Sequence, residues 1–264
     1  ERIKERPPIA AFLHIGVDCM EKTVTNGLVI KQVNYGEADR ILHIFTEELG
    51  IVSALAKGAR KYNSHQGGAA QLFYYCQFTL AQGKGMYRLQ GANVLESFFD
   101  LSYDLEKLAL CNYFFDITAS VVPEHIPDQP VLSLLLNTLY LMLKRPRPLP
   151  LVKAVYEMKL LSLTGFRPTL DACGVCGSPE GLSSFSAGAG GAVCQNCRTP
   201  DAEPLSPAVL AALRYITGED TSKIFSFALP DDAVQALCSL SEKYLLQTTE
   251  KLFPSLTYYK QLLH

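Results

Sequence analysis

Gln71-Leu-Phe-Tyr-Tyr-Cys-Gln-Phe-Thr-Leu80, then Gln82-Gly-Lys-Gly85, then Met86-Tyr-Arg-Leu-Gln90 read as strand, hairpin turn and strand. In the first strand one parity, Leu72, Tyr74, Cys76, Phe78 and Leu80, is apolar and predicts a core face. The other parity carries Gln71, Phe73, Tyr75, Gln77 and Thr79. Phe73 and Tyr75 are therefore expected on an outer surface, either as platforms on which bases stack or covered by a neighbouring helix. The turn glycines supply positive φ and set Lys84 at a tip. Beyond the turn, Arg88 and Gln90 share the outward face, with Tyr87 and Leu89 on the other.

Working outward, Gly27 to Asn34, Arg40 to Thr46 and Gly50 to Lys57 precede this pair as three more short strands, and Met86 extends to Phe98. Five strands within about 75 residues predict a small closed barrel of the OB type. Charge marks the same region. From Leu49 to Leu95 there is no acidic residue, whereas an even spread of the 26 acids over 264 residues would put about five there. The window holds Lys57, Arg60, Lys61, Lys84 and Arg88, and since the whole chain is net −2, the remainder carries −7. Cations alternating with β-rich segments and aromatics suit a surface that tracks a phosphodiester backbone, although small barrels also carry solvated cations with no such role. The loop Gly58 to Ala70, with Arg60, Lys61, Asn63, Ser64, His65 and paired glycines, is expected to be polar and mobile, a clamp beside the barrel.

The 264 residues, 48% hydrophobic, can bury a good core and suggest two domains. Residues 1–22 read as a leader outside the fold: Arg2, Lys4 and Arg6 precede an apolar patch without a small-residue cleavage site, and Met20 offers another start. Residues 23–100 are assigned to the barrel and 101–264 to a helical domain. In the latter, Asp104 to Val121 keeps Leu105, Leu108, Asn112, Phe115 and Ala119 on one stripe, and Leu132, Leu135, Leu136, Leu139 and Leu143 recur at helical spacing. Pro146, Pro148 and Pro150 stop that helix and restart another near Leu151; Ser206 to Thr217 and Asp231 to Leu252 return to helix. Lys144, Arg145, Arg147 and Lys153 cluster at the helix end, partly explained by the helix dipole and otherwise forming a second basic patch for nucleic acid or an acidic partner tail. The longest apolar run, Val131 to Leu143, is too short for a bilayer span.

Cys173-Gly-Val-Cys176 and Cys194-Gln-Asn-Cys197 are separated by 17 residues, within the range of a four-thiolate zinc site. A rubredoxin-like iron centre or two disulfides are the other readings of the same spacing. Four protein thiolates leave no open coordination position, so a zinc ion there would be structural. The module spans residues 171–200 and looks inserted into the helical domain. Cys76, Cys111 and Cys238 sit in apolar segments as free thiols, which points to the cytoplasm. An enzyme is not indicated: the chain has no H-x-E motif for a zinc deaminase and no G-x-x-x-x-G-K-[ST] phosphate loop. An iron redox carrier and an RNA-binding OB protein are the remaining alternatives.

Tyr35-Gly-Glu-Ala-Asp-Arg40, Phe45-Thr46, Gly50 and Lys57-Gly-Ala-Arg-Lys61, followed by Phe166-Arg-Pro168, the two C-x-x-C pairs and Phe185 and Gly190-Gly191 between them, resemble the RecO family of bacterial recombination mediators. The resemblance runs from Thr23 to Leu252. It implies an α+β multidomain protein: an N-terminal five-stranded OB-fold barrel, then an α-helical domain carrying an inserted four-cysteine zinc module. It also implies binding of single- and double-stranded DNA, annealing, work with RecR, capture of the acidic C-terminal tail of single-stranded DNA-binding protein (SSB), and indirect help to RecA on SSB-coated DNA. Lys57, Arg60 and Lys61 match the family's basic loop segment. Arg40 is read with them as DNA-binding, and Lys84 and Arg88 join through their expected faces.

Overall fold

The computed structural model describes residues 22–61, 71–145, 147–197 and 199–263. The expected leader, Pro146 and the part of the clamp loop with Asn63, Ser64 and His65 lie outside these residues. Five strands, β1 (Lys22–Tyr35), β2 (Asp39–Thr46), β3 (Gly50–Ala56), β4 (Tyr74–Ala81) and β5 (Tyr87–Ser97), close into a barrel in the order β1-β2-β3-β5-β4. Only β3 and β5 pair in parallel, Ala54 with Tyr87 and Leu55 with Arg88. Alternation fills the interior: Val29, Leu42, Ile44, Val52, Ala54, Cys76, Phe78, Leu80 and Leu89 form one closed cluster.

The opposite parity is only half as expected. Gln77 is exposed, but Phe73 is 2% exposed and its ring lies 5.4 Å from that of Phe115. The alternation fails because Phe73 adopts a left-handed backbone, φ 72, so β4 starts after it at Tyr74 and the side chain turns toward the helices. Leu28, Ile30, Phe45 and Ile51 face the same way and share one core with the helical domain. Gly50 seals this contact. At φ 68 it lies under the chain at Ile126, and an added Cβ would meet the Ile126 backbone at 2.4 Å.

The helical domain contains α1 (Leu105–Val121), α2 (Gln129–Lys144), α3 (Leu149–Leu163), α4 (Pro207–Gly218), α5 (Asp231–Thr249) and α6 (Pro254–Leu262). Asp104, Asp128 and Ser206 cap α1, α2 and α4 by accepting from first-turn N–H groups. The stripe expected on α1 is displaced: Leu105 and Ala119 are exposed, while Leu110, Tyr113, Phe114 and Ile117 are buried beside Phe115. A single stripe cannot describe a helix packed by neighbours on several sides, and α1 touches α2, α3 and α6. Helix α3 is more enclosed still, buried from Leu151 to Leu161. The helix expected from Asp231 to Leu252 ends at Thr249, where Glu250 turns left-handed, φ 52, and Pro254 then starts α6 beyond the expected segment.

Between α3 and α4 the chain forms a three-stranded sheet, β7-β6-β8, from β6 (Leu182–Ser186), β7 (Gly191–Cys194) and β8 (Glu203–Pro204). Its core is minimal, yet Phe185 stacks edge-on against Tyr244 of α5 at 5.4 Å. Thr169 and the Gly190–Ala192 backbone exchange hydrogen bonds, which anchors the insertion at a second point. No described helix is long and apolar enough to cross a membrane.

Candidate nucleic-acid interface and thiolate centre

Cross-strand register places Arg88 at the end of an outward-facing row on the barrel, and the adjoining β4–β5 hairpin lines a pocket with Glu124 and His125 of the α1–α2 connection. Val33 pairs with Ile41, Ile41 with Leu55 and Leu55 with Arg88, giving one row across four strands. Beside it, Tyr35 pairs with Asp39, and Asn34 with Arg40, which pairs with Ala56. The β1–β2 turn bounds this strip on one side and the β4–β5 hairpin on the other, the two loops that flank the ligand face of OB folds. In the hairpin Gly85 has φ 83, while Gly83 is needed for close approach, since a Cβ there would meet Met86 O at 2.6 Å. Lys84 and Arg88 are exposed, as are Lys57, Arg60 and Lys61.

The strip is less free of acid in space than along the chain. Asp39 Oδ1 accepts the Gly58 N–H at 2.7 Å, and Arg60 donates to the Gly36 carbonyl at 3.2 Å, next to exposed Glu37. These bonds tie the start of the basic loop to the β1–β2 turn. Arg40 is only partly exposed; its parity points it toward the barrel's open end, where its Nε is buried without a partner among the described residues.

Two of the sequence expectations need correcting. Phe73 offers no stacking surface because α1 covers it, and Tyr75 is half-buried, its hydroxyl donating to Glu47 Oε1 at 2.5 Å. Burial and the adjacent Glu47 carboxylate push the Tyr75 hydroxyl well above the usual phenol range. Glu47 itself lines a cleft against α2. The aromatic that does stand on the cationic side is Tyr35, 54% exposed, which alternation could have flagged as the last outward residue of β1.

Lys153 also departs from expectation. Lys144, Arg145 and Arg147 are exposed at the α2–α3 joint, but Lys153 is 4% exposed, with its Nζ 2.8 Å from Glu157 and 3.0 Å from Glu242. Burial opposes its charge, and the two carboxylates more than compensate, so its pKa is raised. Glu157 further accepts from Tyr113 and Ser241, and Glu242 from Lys260. This network joins α1, α3, α5 and α6 and is a core element. On its solvent side lies a cavity of about 380 Å³ lined by Pro150, Cys238, Tyr259, Lys243, Lys260 and Leu263.

The four cysteines converge as the spacing requires. Their Sγ atoms all lie within 4.8 Å of one another, and Cys176 Sγ is 3.8 Å from Cys194 Sγ. A tetrahedral ion with metal–sulfur bonds of about 2.3 Å has sulfurs about 3.8 Å apart, so the set fits such an ion. Local turns produce the convergence. Gly177, φ 74, donates to the Cys173 carbonyl at 2.8 Å, and Gly174 admits the Ala189 carbonyl, which a Cβ would crowd at 2.6 Å. The Cys194 N–H donates to Cys173 Sγ at 3.4 Å; this and the neighbouring Cys176 and Val175 N–H groups lower the Cys173 pKa to about 6, favouring the thiolate that binds metal.

The family model described as Recombination protein O N terminal matches residues 20–98, and Recombination protein O C terminal matches residues 102–257. The chain is 40% identical over 242 residues to the DNA repair protein RecO of Acetivibrio thermocellus, covering 90% of this chain and 96% of that protein. It is 30% identical over 236 residues to that of Caldicellulosiruptor saccharolyticus, covering 89% and 96%. To that of Symbiobacterium thermophilum it is 32% identical over 234 residues, covering 86% and 92%. With both family models matched in chain order over the barrel and the helices, and relatives aligned over nearly their whole length, the chain belongs to the RecO family of DNA repair proteins.

Proposed function

We propose that this protein binds single-stranded DNA along the cationic side of its barrel, anneals complementary strands and, without catalysing a reaction itself, helps load a recombinase onto SSB-coated DNA in the cytoplasm. The observation that carries this reading is the clustering of exposed Lys57, Arg60, Lys61, Lys84 and Arg88 around the strip between the two ligand-face loops. Arg40 then acts from the rim. RecR is the expected partner in loading. The knuckle holds one zinc ion through Cys173, Cys176, Cys194 and Cys197, with no open position for chemistry. The acidic, phenylalanine-ended SSB tail enters the α3–α5–α6 cavity, its ring against Pro150 and Leu263 and its acids toward Lys243, Lys260 and the exposed Lys144, Arg145 and Arg147.

Binding of a labelled oligonucleotide across a salt series tests the central claim. About four phosphate contacts on a single strand give a log–log slope near −3, at about 0.7 per phosphate. Replacing Arg60 and Lys61 together by Ala should make the slope shallower by roughly one to one and a half and weaken all sequences alike. A double variant that keeps the parent slope while losing annealing would show that the loop acts other than through phosphates.

A further inference from the structure

Tyr35 is an unexplained feature of the cationic side: a large ring, 54% exposed, on a strand whose neighbours are ordered by a regular ladder. It has no ring partner among the described residues. Its position is fixed, because it pairs with Asp39 and the chain reverses immediately afterwards at Gly36, φ 56. Arg60 reaches the Gly36 carbonyl, one residue from the ring. On the other flank Val33 is 43% exposed, and Ile41 and Leu55 continue the apolar row to Arg88. An apolar strip with a ring at one end and a cation at each border has the composition of a surface that takes bases by their faces while their phosphates lie outside.

We propose that Tyr35 and the Val33–Ile41–Leu55 row form a platform for unpaired bases, with Tyr35 stacking on one of them; this rests on the DNA-binding reading above. The platform selects unpaired strands, because a duplex buries base faces in its own stack. It also has a consequence for annealing. A base held by its face keeps its pairing edge free, so a strand laid on the strip remains able to meet its complement.

The chain contains no tryptophan, so Tyr35→Trp introduces a single one. Its emission should be quenched on adding a single-stranded oligothymidine and change little with a blunt duplex. Tyr35→Ala should weaken single-strand binding roughly five- to a hundredfold with the parent salt slope, and Tyr35→Phe should retain parent affinity. The proposal is overturned if Tyr35→Trp binds the oligonucleotide with parent affinity and unchanged emission, or if Tyr35→Ala binds as the parent does. In both of those cases the parent still binds, so the DNA-binding reading stands. Absence of single-strand binding by the parent protein at low salt overturns both.

Discussion

Phe73 fills space that α1 shapes from the far side, and its ring couples barrel to helices through Phe115. Truncating a buried Phe costs about 3–5 kcal/mol through lost transfer energy and the cavity left behind. Phe73→Ala should therefore lower the urea midpoint markedly while leaving the oligonucleotide salt slope unaltered, because no phosphate contact is lost. A slope change without a stability change would place this residue in the interface after all. Alternation correctly assigned Cys76, Phe78 and Leu80 to the interior, since β4 pairs with β1 without a register break, and Arg88 to the outside. It failed at Phe73, where a single left-handed residue reverses the face and nothing in the side-chain pattern announces it. Lys153 failed for a different reason. Its partner Glu157 is four residues away and was readable, but Glu242 comes from another helix, so neither the network nor the burial is visible locally.

At the scale of elements, the thiolate knuckle was legible because its geometry is local: two C-x-x-C turns and their glycines bring four sulfurs together. Its attachment was not legible. The Phe185–Tyr244 contact, the Thr169–Gly191 pairing and the bond from Arg214 to the Leu170 carbonyl fasten it to the helices. Stripping the metal with a chelator should therefore raise amide exchange in Cys173–Cys197 and leave α1 and α3 protected. Elemental analysis should give one zinc per chain beforehand. Loss of protection throughout the helical domain would show that the metal supports the whole fold; colourless protein without metal and with four titratable thiols would remove the centre. The displaced face of α1 was also beyond reach, because it depends on what packs against the helix rather than on its own periodicity.

Over the whole molecule, a net charge of −2 is compatible with DNA binding only if the charge is arranged, and the barrel provides the arrangement. Lys57, Arg60, Lys61, Lys84 and Arg88 ring the outward strip, while Glu47 lies against α2. Two acids share the cationic side in the β1–β2 turn: Asp39, bonded to the Gly58 N–H, and Glu37, exposed beside the carbonyl that Arg60 grips. At low ionic strength the Glu37 carboxylate lies within a Debye length of any phosphate held by Arg60, about 10 Å at 0.1 M salt, and opposes it. Glu180, also exposed, stands on the thiolate knuckle instead. Glu37→Gln and Glu180→Gln change the net charge equally. If DNA responds to total charge, they should tighten binding alike; if it responds to the field on the strip, Glu37→Gln should tighten single-strand binding about two- to fivefold at low salt and Glu180→Gln not measurably. The difference should shrink as salt rises and the local field is screened. Equal effects of the two variants would mean that the segregation of charge along this chain has no bearing on where DNA sits.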